Sequence, residues 1–193
     1  MPLLPPQQRK LLIAVVVLAV SVGGGWLWSS ASEPDLDARL TTPGEVPYPT
    51  IATNSEVAGT SLPQASLLTL DNKTIDSTAL IGKPLILNFW YSTCEPCRRE
   101  LPVLASAAAR YRDQVRFVGV NIKDSASVAE QFAAQYGVKF ELLFDTKGLF
   151  ISQLGIATAP VTLAVDAQGK IIEQIAGEIS ANKLNELVSE LLK

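Results

Sequence analysis

An apolar run that leads directly into two cysteines constrains this chain more than any other feature. The run Leu85–Trp90 is interrupted only by Asn88, and Cys94 and Cys97, the only cysteines among 193 residues, follow it closely. A nearly continuous apolar run of this kind is typical of a central strand in a parallel sheet. Two thiols between a strand and a helix can close a small disulfide and reopen it. The alternative is a structural disulfide or an inert buried pair.

The composition excludes several other uses of the two thiols. The chain has no histidine, which excludes a Cys/His zinc site, a Cys-x-x-Cys-His haem attachment, a Ser/His/Asp triad and a His-paired cysteine protease. A tetrahedral zinc site would need two further good ligands, so we expect no metal. The net charge of −3 gives no electrostatic reason to bind nucleic acid. No cofactor is expected other than a Cys94–Cys97 disulfide.

The N-terminal segment contains an uncharged stretch, Leu11–Trp28. As a helix it would span about 27 Å, close to the ~30 Å hydrocarbon core of a bilayer. Two cations precede it and the next is Arg39, so the positive-inside rule predicts export of the remaining chain. We therefore expect residues 1–28 to be a single-pass anchor in the cell membrane, with the C-terminal domain extracytoplasmic. The alternative is a signal sequence cleaved near 29–31, which would leave a secreted or periplasmic protein.

The segment after the apolar stretch differs in composition from the rest of the chain. Residues 29–58 are rich in Ser, Thr, Pro, Glu and Asp and have no sustained hydrophobic period. Such a segment buries too little apolar surface to offset the entropy lost on ordering. We therefore expect an extended tether over residues 29–58 and a folded domain over residues 59–193.

Apolar periodicity and turn residues predict alternating strands and helices in the domain. The predicted strands are Ser66–Leu70, Thr74–Ser77, Leu85–Trp90, Val115–Ile122, Phe140–Phe144, Val161–Val165 and Ile171–Ala176. The predicted helices are Cys94–Arg112, Ala126–Tyr136, Gly148–Leu154 and Ala181–Leu192, with a short helical turn at Thr78–Gly82. This order indicates an α/β fold with a mixed sheet flanked by helices.

The residues around the cysteines resemble the thioredoxin superfamily. More narrowly, they resemble the membrane-anchored TlpA/ResA-like thiol–disulfide oxidoreductases of bacterial envelopes. The resemblance rests on Asn88–Trp90, on Cys94–Pro102 and on Pro160, which stands where the family has a cis-proline facing the disulfide. The stretch Ser125–Leu154 is similar to the helix–strand–helix insertion of this branch. The resemblance implies a thioredoxin-like fold with an N-terminal hairpin and that central insertion.

The placement of the two cysteines suggests different roles for them. Unpaired N–H groups and the positive end of the helix dipole favour a thiolate at Cys94, so we expect this residue to be the nucleophile and the more exposed sulfur. Cys97, one turn further, is expected to be buried and to resolve the mixed disulfide. The carboxylate of Glu95 opposes thiolate formation, whereas Arg98 and Arg99 favour it.

The resemblance implies further site residues. Glu100 matches an acidic residue that manages protons during exchange, with a solvated helix carboxylate as the alternative. Pro160 is expected to be cis, so that its backbone pairs with an extended client segment. Trp90 is expected to line the site, with a core position as the alternative. The other residues expected at the client-binding surface are Thr93, Glu95, Pro96 and Ala159.

Asn88 and Gly119 are departures from thioredoxin, which has a buried Asp and a Lys there, so thioredoxin's own proton relay is absent.

The expected function is reduction of client disulfides outside the cytoplasm, for example in cytochrome c maturation, with electrons from a membrane thiol donor. One alternative is a disulfide-forming oxidase of the same fold. The other is a thiol peroxidase, although that family has a Thr where Tyr91 stands.

Overall fold

The computed structural model describes Pro5, Gln7, Gln8, Lys10 and residues 15–21 and 53–193. The chain divides into two compact units, Met1–Tyr48 and Pro49–Lys193. In the first unit, residues 15–21 are helical and their side chains are exposed. Within the described ranges, no helix is both long and apolar enough to cross a membrane. The rest of the expected anchor Leu11–Trp28, and most of the expected tether, lie outside the described residues.

Residues 53–193 contain a seven-stranded mixed sheet. Its strands are β1 (Ser66–Thr69), β2 (Thr74–Asp76), β3 (Leu85–Trp90), β4 (Arg116–Asn121), β5 (Glu141–Phe144), β6 (Val161–Val165) and β7 (Ile171–Ala176). The spatial order is β2-β1-β5-β4-β3-β6-β7. Strands β3, β4 and β5 are parallel, and the other neighbouring pairs are antiparallel. The expected mixed sheet with an N-terminal hairpin is thus confirmed.

Four helices cover this sheet within residues 53–193. They are α1 (Glu95–Tyr111), α2 (Ala126–Gln135), α3 (Leu149–Gln153) and α4 (Ala181–Leu191), and a short 3-10 turn spans Ser77–Leu80. Side-chain oxygens cap two of the helices: Ser125 accepts from Val128 N, and Ser180 accepts from Lys183 N. Such caps satisfy backbone donors that have no partner inside the helix. Elements α2, β5 and α3 form the expected helix–strand–helix insertion.

Strand β3 lies at the centre of the sheet and is buried along its whole length. Successive side chains of a strand point to opposite faces. One face carries Leu85, Leu87 and Phe89, which pack in the larger apolar cluster. The other face carries Ile86, Asn88 and Trp90. Ile86 packs there against leucines of α1 and α4, each of which contributes roughly 1.5–3 kcal/mol by its burial. The same alternation places Asn88 and Trp90 beside the start of α1.

The folded domain begins earlier than the boundary expected at Gly59. Val57 and Leu62 are buried and belong to the main apolar cluster, and Ser55 N donates a hydrogen bond to Gly155 O at 2.9 Å. The final residues of the expected tether therefore pack on the domain. Their contacts are made by backbone groups and by isolated polar and apolar side chains, which leave no periodic pattern in the sequence.

Candidate active site

Cys94 and Cys97 are joined by a disulfide at the junction of β3 and α1. Cys94 is the N-cap of α1, and its Sγ accepts a hydrogen bond from Cys97 N at 3.2 Å. Pro96 lies in the first helical turn, where its missing N–H leaves no helix bond unmade. Cys94 is 4% exposed and Cys97 is 0% exposed, so Cys94 is the residue that a partner sulfur can reach.

The charges around the cysteines are arranged in pairs. The Glu95 carboxylate lies 3.4 Å from Arg98 Nη1 and 3.5 Å from Arg99 Nη1. Arg99 also pairs with Glu178 at 2.7 Å. All four side chains are substantially exposed, so each pair contributes little to stability. Their formal charges sum to zero, and three of the four side chains belong to residues 95–99, directly after Cys94. Thr93 and Glu95, the sequence neighbours of Cys94, are exposed, and Pro96 is half-buried.

Glu100 lies one helical turn after Cys97 and is completely buried, so it is not a solvated helix carboxylate. Its two carboxylate oxygens accept hydrogen bonds from Asn88 Nδ2 at 2.7 Å and from Ile179 N at 3.0 Å. Burial raises the pKa of Glu100 from its ordinary value of 4.5 to about 7, although these two hydrogen bonds oppose the rise. Asn88 Nδ2 also donates to Thr162 Oγ1 at 3.1 Å. A buried carboxyl with this pKa can either hold or accept a proton near neutral pH.

Trp90 is a core residue and also a neighbour of the site, because it is buried and belongs to the same apolar cluster as the two cysteines. Its ring stacks on Phe132 of α2, with the ring centroids 6.0 Å apart. Gly119 of β4 pairs with Asn88, and a Cβ added to this glycine would lie 2.9 Å from Trp90 Nε1. The absence of a side chain at residue 119 therefore makes room for the indole ring of Trp90. A lysine could not occupy this position without moving the ring.

The loop before β6 lies beside the same cluster. The Ala159–Pro160 peptide bond is cis. Ala159 is half-buried and packs against the cluster that contains Cys94 and Cys97. Its backbone therefore borders the apolar cluster that holds the disulfide. Pairing of this backbone with a client remains a prediction.

The sequence reasoning missed a polar cluster that holds the turn before Cys94. The Asp124 carboxylate accepts hydrogen bonds from Ser92 N and Ser92 Oγ, both at 2.7 Å, and from Asn121 Nδ2 at 2.8 Å. Burial raises the pKa of Asp124, but the hydrogen bonds from Asn121 and Ser92 outweigh it and lower the pKa overall. The sequence does contain a signal for this cluster, because β3 and β4 can be predicted as adjacent parallel strands. Polar residues just after them meet at one edge of the sheet.

Comparisons with known proteins agree with this geometry. The Redoxin family model matches residues 57–191, which is more than half of the chain. The thiol–disulfide oxidoreductase ResA of Bacillus subtilis (strain 168) is 28% identical over 132 residues, which cover 68% of this chain and 74% of ResA.

Two solved structures are also similar to this chain. DsbF of MTB, solved in mixed oxidised and reduced forms, is 34% identical with a TM-score of 0.61, covering 66% of this chain and 95% of DsbF. A secreted Mycobacterium tuberculosis disulfide oxidoreductase, homologous to E. coli DsbE, is 27% identical with a TM-score of 0.61. That match covers 66% of this chain and 96% of the other.

The Redoxin match extends over the whole of the sheet and includes both cysteines, which stand at the turn between β3 and α1. The matches confirm the resemblance noted from the residues around Cys94. The chain belongs to the Redoxin family, as a ResA-like thiol–disulfide oxidoreductase of the thioredoxin superfamily.

Proposed function

We propose that this oxidoreductase reduces disulfides of client proteins outside the cytoplasm, and that its clients include proteins of cytochrome c maturation. The direction of electron flow rests on one observation, the balance of charge beside Cys94. An excess of positive charge there would stabilise the thiolate, and a stabilised dithiol makes an oxidant. Here two arginines are offset by Glu95 and Glu178. These side-chain charges therefore add little to the stabilisation that the helix N-terminus gives the Cys94 thiolate, which favours a reductant.

The proposed reaction passes through a mixed disulfide. The Cys94 thiolate attacks one sulfur of the client disulfide, and the other client sulfur leaves as a thiolate that takes a proton from water. Cys97 then loses its proton to the Glu100 carboxylate and attacks the Cys94 sulfur. The Cys94–Cys97 disulfide forms and the second client thiolate is released. Two electrons pass from the protein to the client, and a membrane thiol donor restores the dithiol.

The reduction potential of the Cys94–Cys97 couple tests the direction. We expect equilibration with glutathione buffers to give a value closer to about −270 mV, as in thioredoxin, than to about −120 mV, as in DsbA. A strongly oxidising value would contradict the reductant proposal and favour the disulfide-forming oxidase. In cells that lack the protein, an added small thiol should restore the lost function if the protein acts as a reductant.

We further propose that the domain is held outside the cell membrane by residues 1–28. The proposal is supported by the uncharged stretch Leu11–Trp28 after two cations, and by the similar M. tuberculosis oxidoreductase, which is described as secreted. A membrane-impermeant maleimide added to intact cells should label a Ser106→Cys variant in which both native cysteines are replaced by serine, because residue 106 is exposed. Failure to label until the cells are lysed would contradict export. Fractionation distinguishes the two sources of export, because an anchor leaves the protein with the membranes and a cleaved signal releases it.

A further inference from the structure

One polar side chain holds the loop that leads to the cis peptide bond. The loop, residues 156–160, joins α3 to β6 and has no regular secondary structure. Asn54 Oδ1 accepts hydrogen bonds from the backbone N–H groups of Ala157, at 2.7 Å, and of Thr158, at 2.9 Å. Both loop residues are exposed, so without Asn54 these donors would turn to water and the loop would gain conformational freedom.

The contact is positioned to act on the disulfide site. Ala159 follows directly after the two N–H groups and packs against the cluster that contains Cys94 and Cys97. Asn54 therefore fixes the backbone just before Ala159. On the other side, the pairing of β6 with β3 fixes the chain after Pro160. The short segment between these two attachments contains Ala159, which packs against the cluster that holds the disulfide.

The sequence makes room for this contact at another residue. Ser55 N donates to Gly155 O at 2.9 Å, and a Cβ added to Gly155 would overlap Ser55 Oγ. Gly155 also has a φ of +61°, which residues with a side chain adopt at a cost. Glycine thus allows the segment before the sheet to approach the end of α3 closely enough for Asn54 to reach the loop.

We propose that Asn54 is a positioning residue for client binding, which holds the backbone at Ala159 in the conformation that pairs with an extended, disulfide-bearing polypeptide. The inference rests on the proposed function, because it needs a polypeptide client. Ordering a loop in advance reduces the entropy that the client must offset on binding. Loss of Asn54 therefore weakens client binding and leaves the chemistry of the two sulfurs unchanged.

The test compares two oxidants of the reduced, full-length protein. One is a synthetic peptide with an intramolecular disulfide, and the other is hydroxyethyl disulfide, which has no peptide backbone. We expect Asn54→Ala to raise KM for the peptide about fivefold to tenfold, as expected for two lost hydrogen bonds, with kcat unchanged. The rate with hydroxyethyl disulfide should not change. Asn54→Asp keeps the acceptor oxygen and should restore the wild-type KM.

Gln174→Ala is the matched control, because Gln174 binds the same segment through two hydrogen bonds. Its Nε2 donates to Ser55 O at 2.9 Å, and its Oε1 accepts from Val57 N at 3.0 Å. If Gln174→Ala raised the peptide KM as much as Asn54→Ala, the effect would come from loosening the segment and the inference would be wrong. An equal slowing of both oxidants by Asn54→Ala would also overturn it. A wild-type protein that reduces neither oxidant would overturn the proposed function itself.

Discussion

Replacing Cys94 with serine should abolish disulfide exchange, whereas replacing Cys97 with serine should stop the reaction at the mixed disulfide. Cys94 caps α1 and is the more exposed of the two residues, so it is the sulfur that a client can reach. Without it we expect the rate of client reduction to fall by at least about a thousandfold, as for other removed nucleophiles. Without Cys97, no internal thiol can displace the client.

Both the loss of exchange and the arrest at the mixed disulfide can be measured by quenching the reaction at set times. The products are then separated by non-reducing electrophoresis or identified by mass spectrometry. The Cys97→Ser protein should accumulate with one client molecule bound through Cys94, and dithiothreitol should release that client. A useful control is Cys94→Ser combined with Ser106→Cys. It restores the number of thiols at an exposed position of the same helix and should not restore exchange. Substantial client reduction by the Cys94→Ser protein would mean that Cys97 is the nucleophile.

Replacing Glu100 with glutamine should remove most of the dependence of stability on pH between about pH 4.5 and pH 7. The pKa of Glu100 is about 7 in the folded protein and has an ordinary value of 4.5. The folded state thus holds a proton that the unfolded state releases. The stabilisation is fully present below pH 4.5 and is lost as the pH rises through 7. This difference corresponds to roughly 3 kcal/mol of unfolding free energy, and glutamine cannot titrate.

Denaturant unfolding of the oxidised protein at several pH values would test this prediction. Glu130→Gln changes an exposed carboxylate of α2. This control variant should keep the wild-type slope of unfolding free energy against pH. Asp124 affects stability in the opposite direction, because its pKa is lowered in the folded protein. Its contribution to stability is lost only as the pH falls below its ordinary pKa of 3.8. It therefore does not mask the effect of Glu100. An unchanged slope in Glu100→Gln would show that another group releases the proton.

The same substitution should prolong the mixed disulfide, because Cys97 loses the proposed acceptor of its proton. General base catalysis typically contributes 10²–10⁴-fold, so a resolving step about a hundredfold slower is expected in Glu100→Gln. Rapid-quench measurement of the mixed disulfide would follow that step, with the first attack by Cys94 as the internal reference. Equal slowing of both steps would contradict a role for Glu100 at Cys97.

Most of the sheet could be predicted from the sequence because its strands are short apolar runs bounded by turn residues. The predicted bounds of Leu85–Trp90, Val161–Val165 and Ile171–Ala176 agree with the structure. The ends of α1 differ by single residues, because Cys94 caps the helix and Arg112 follows its last turn.

The burial of Glu100 was harder to predict, because a carboxylate on a helix is ordinarily exposed. The pattern did contain a signal: Glu100 stands three residues after Cys97 and four before Leu104, on the face that packs against the sheet. The contacts of Asn54 have no comparable pattern. They join its side chain to backbone groups of a distant, irregular segment, and such a pairing appears only when the chain is folded.

The position of β5 limits how this domain can be shortened. Because β5 lies between β4 and β1, the hairpin of β1 and β2 joins the sheet only through a strand of the helix–strand–helix insertion. Excising that insertion would not leave a smaller sheet with its hairpin attached. It would leave unpaired edges on both β4 and β1, and exposed strand edges promote aggregation. The insertion is thus a structural link that a minimal version of this enzyme would have to keep.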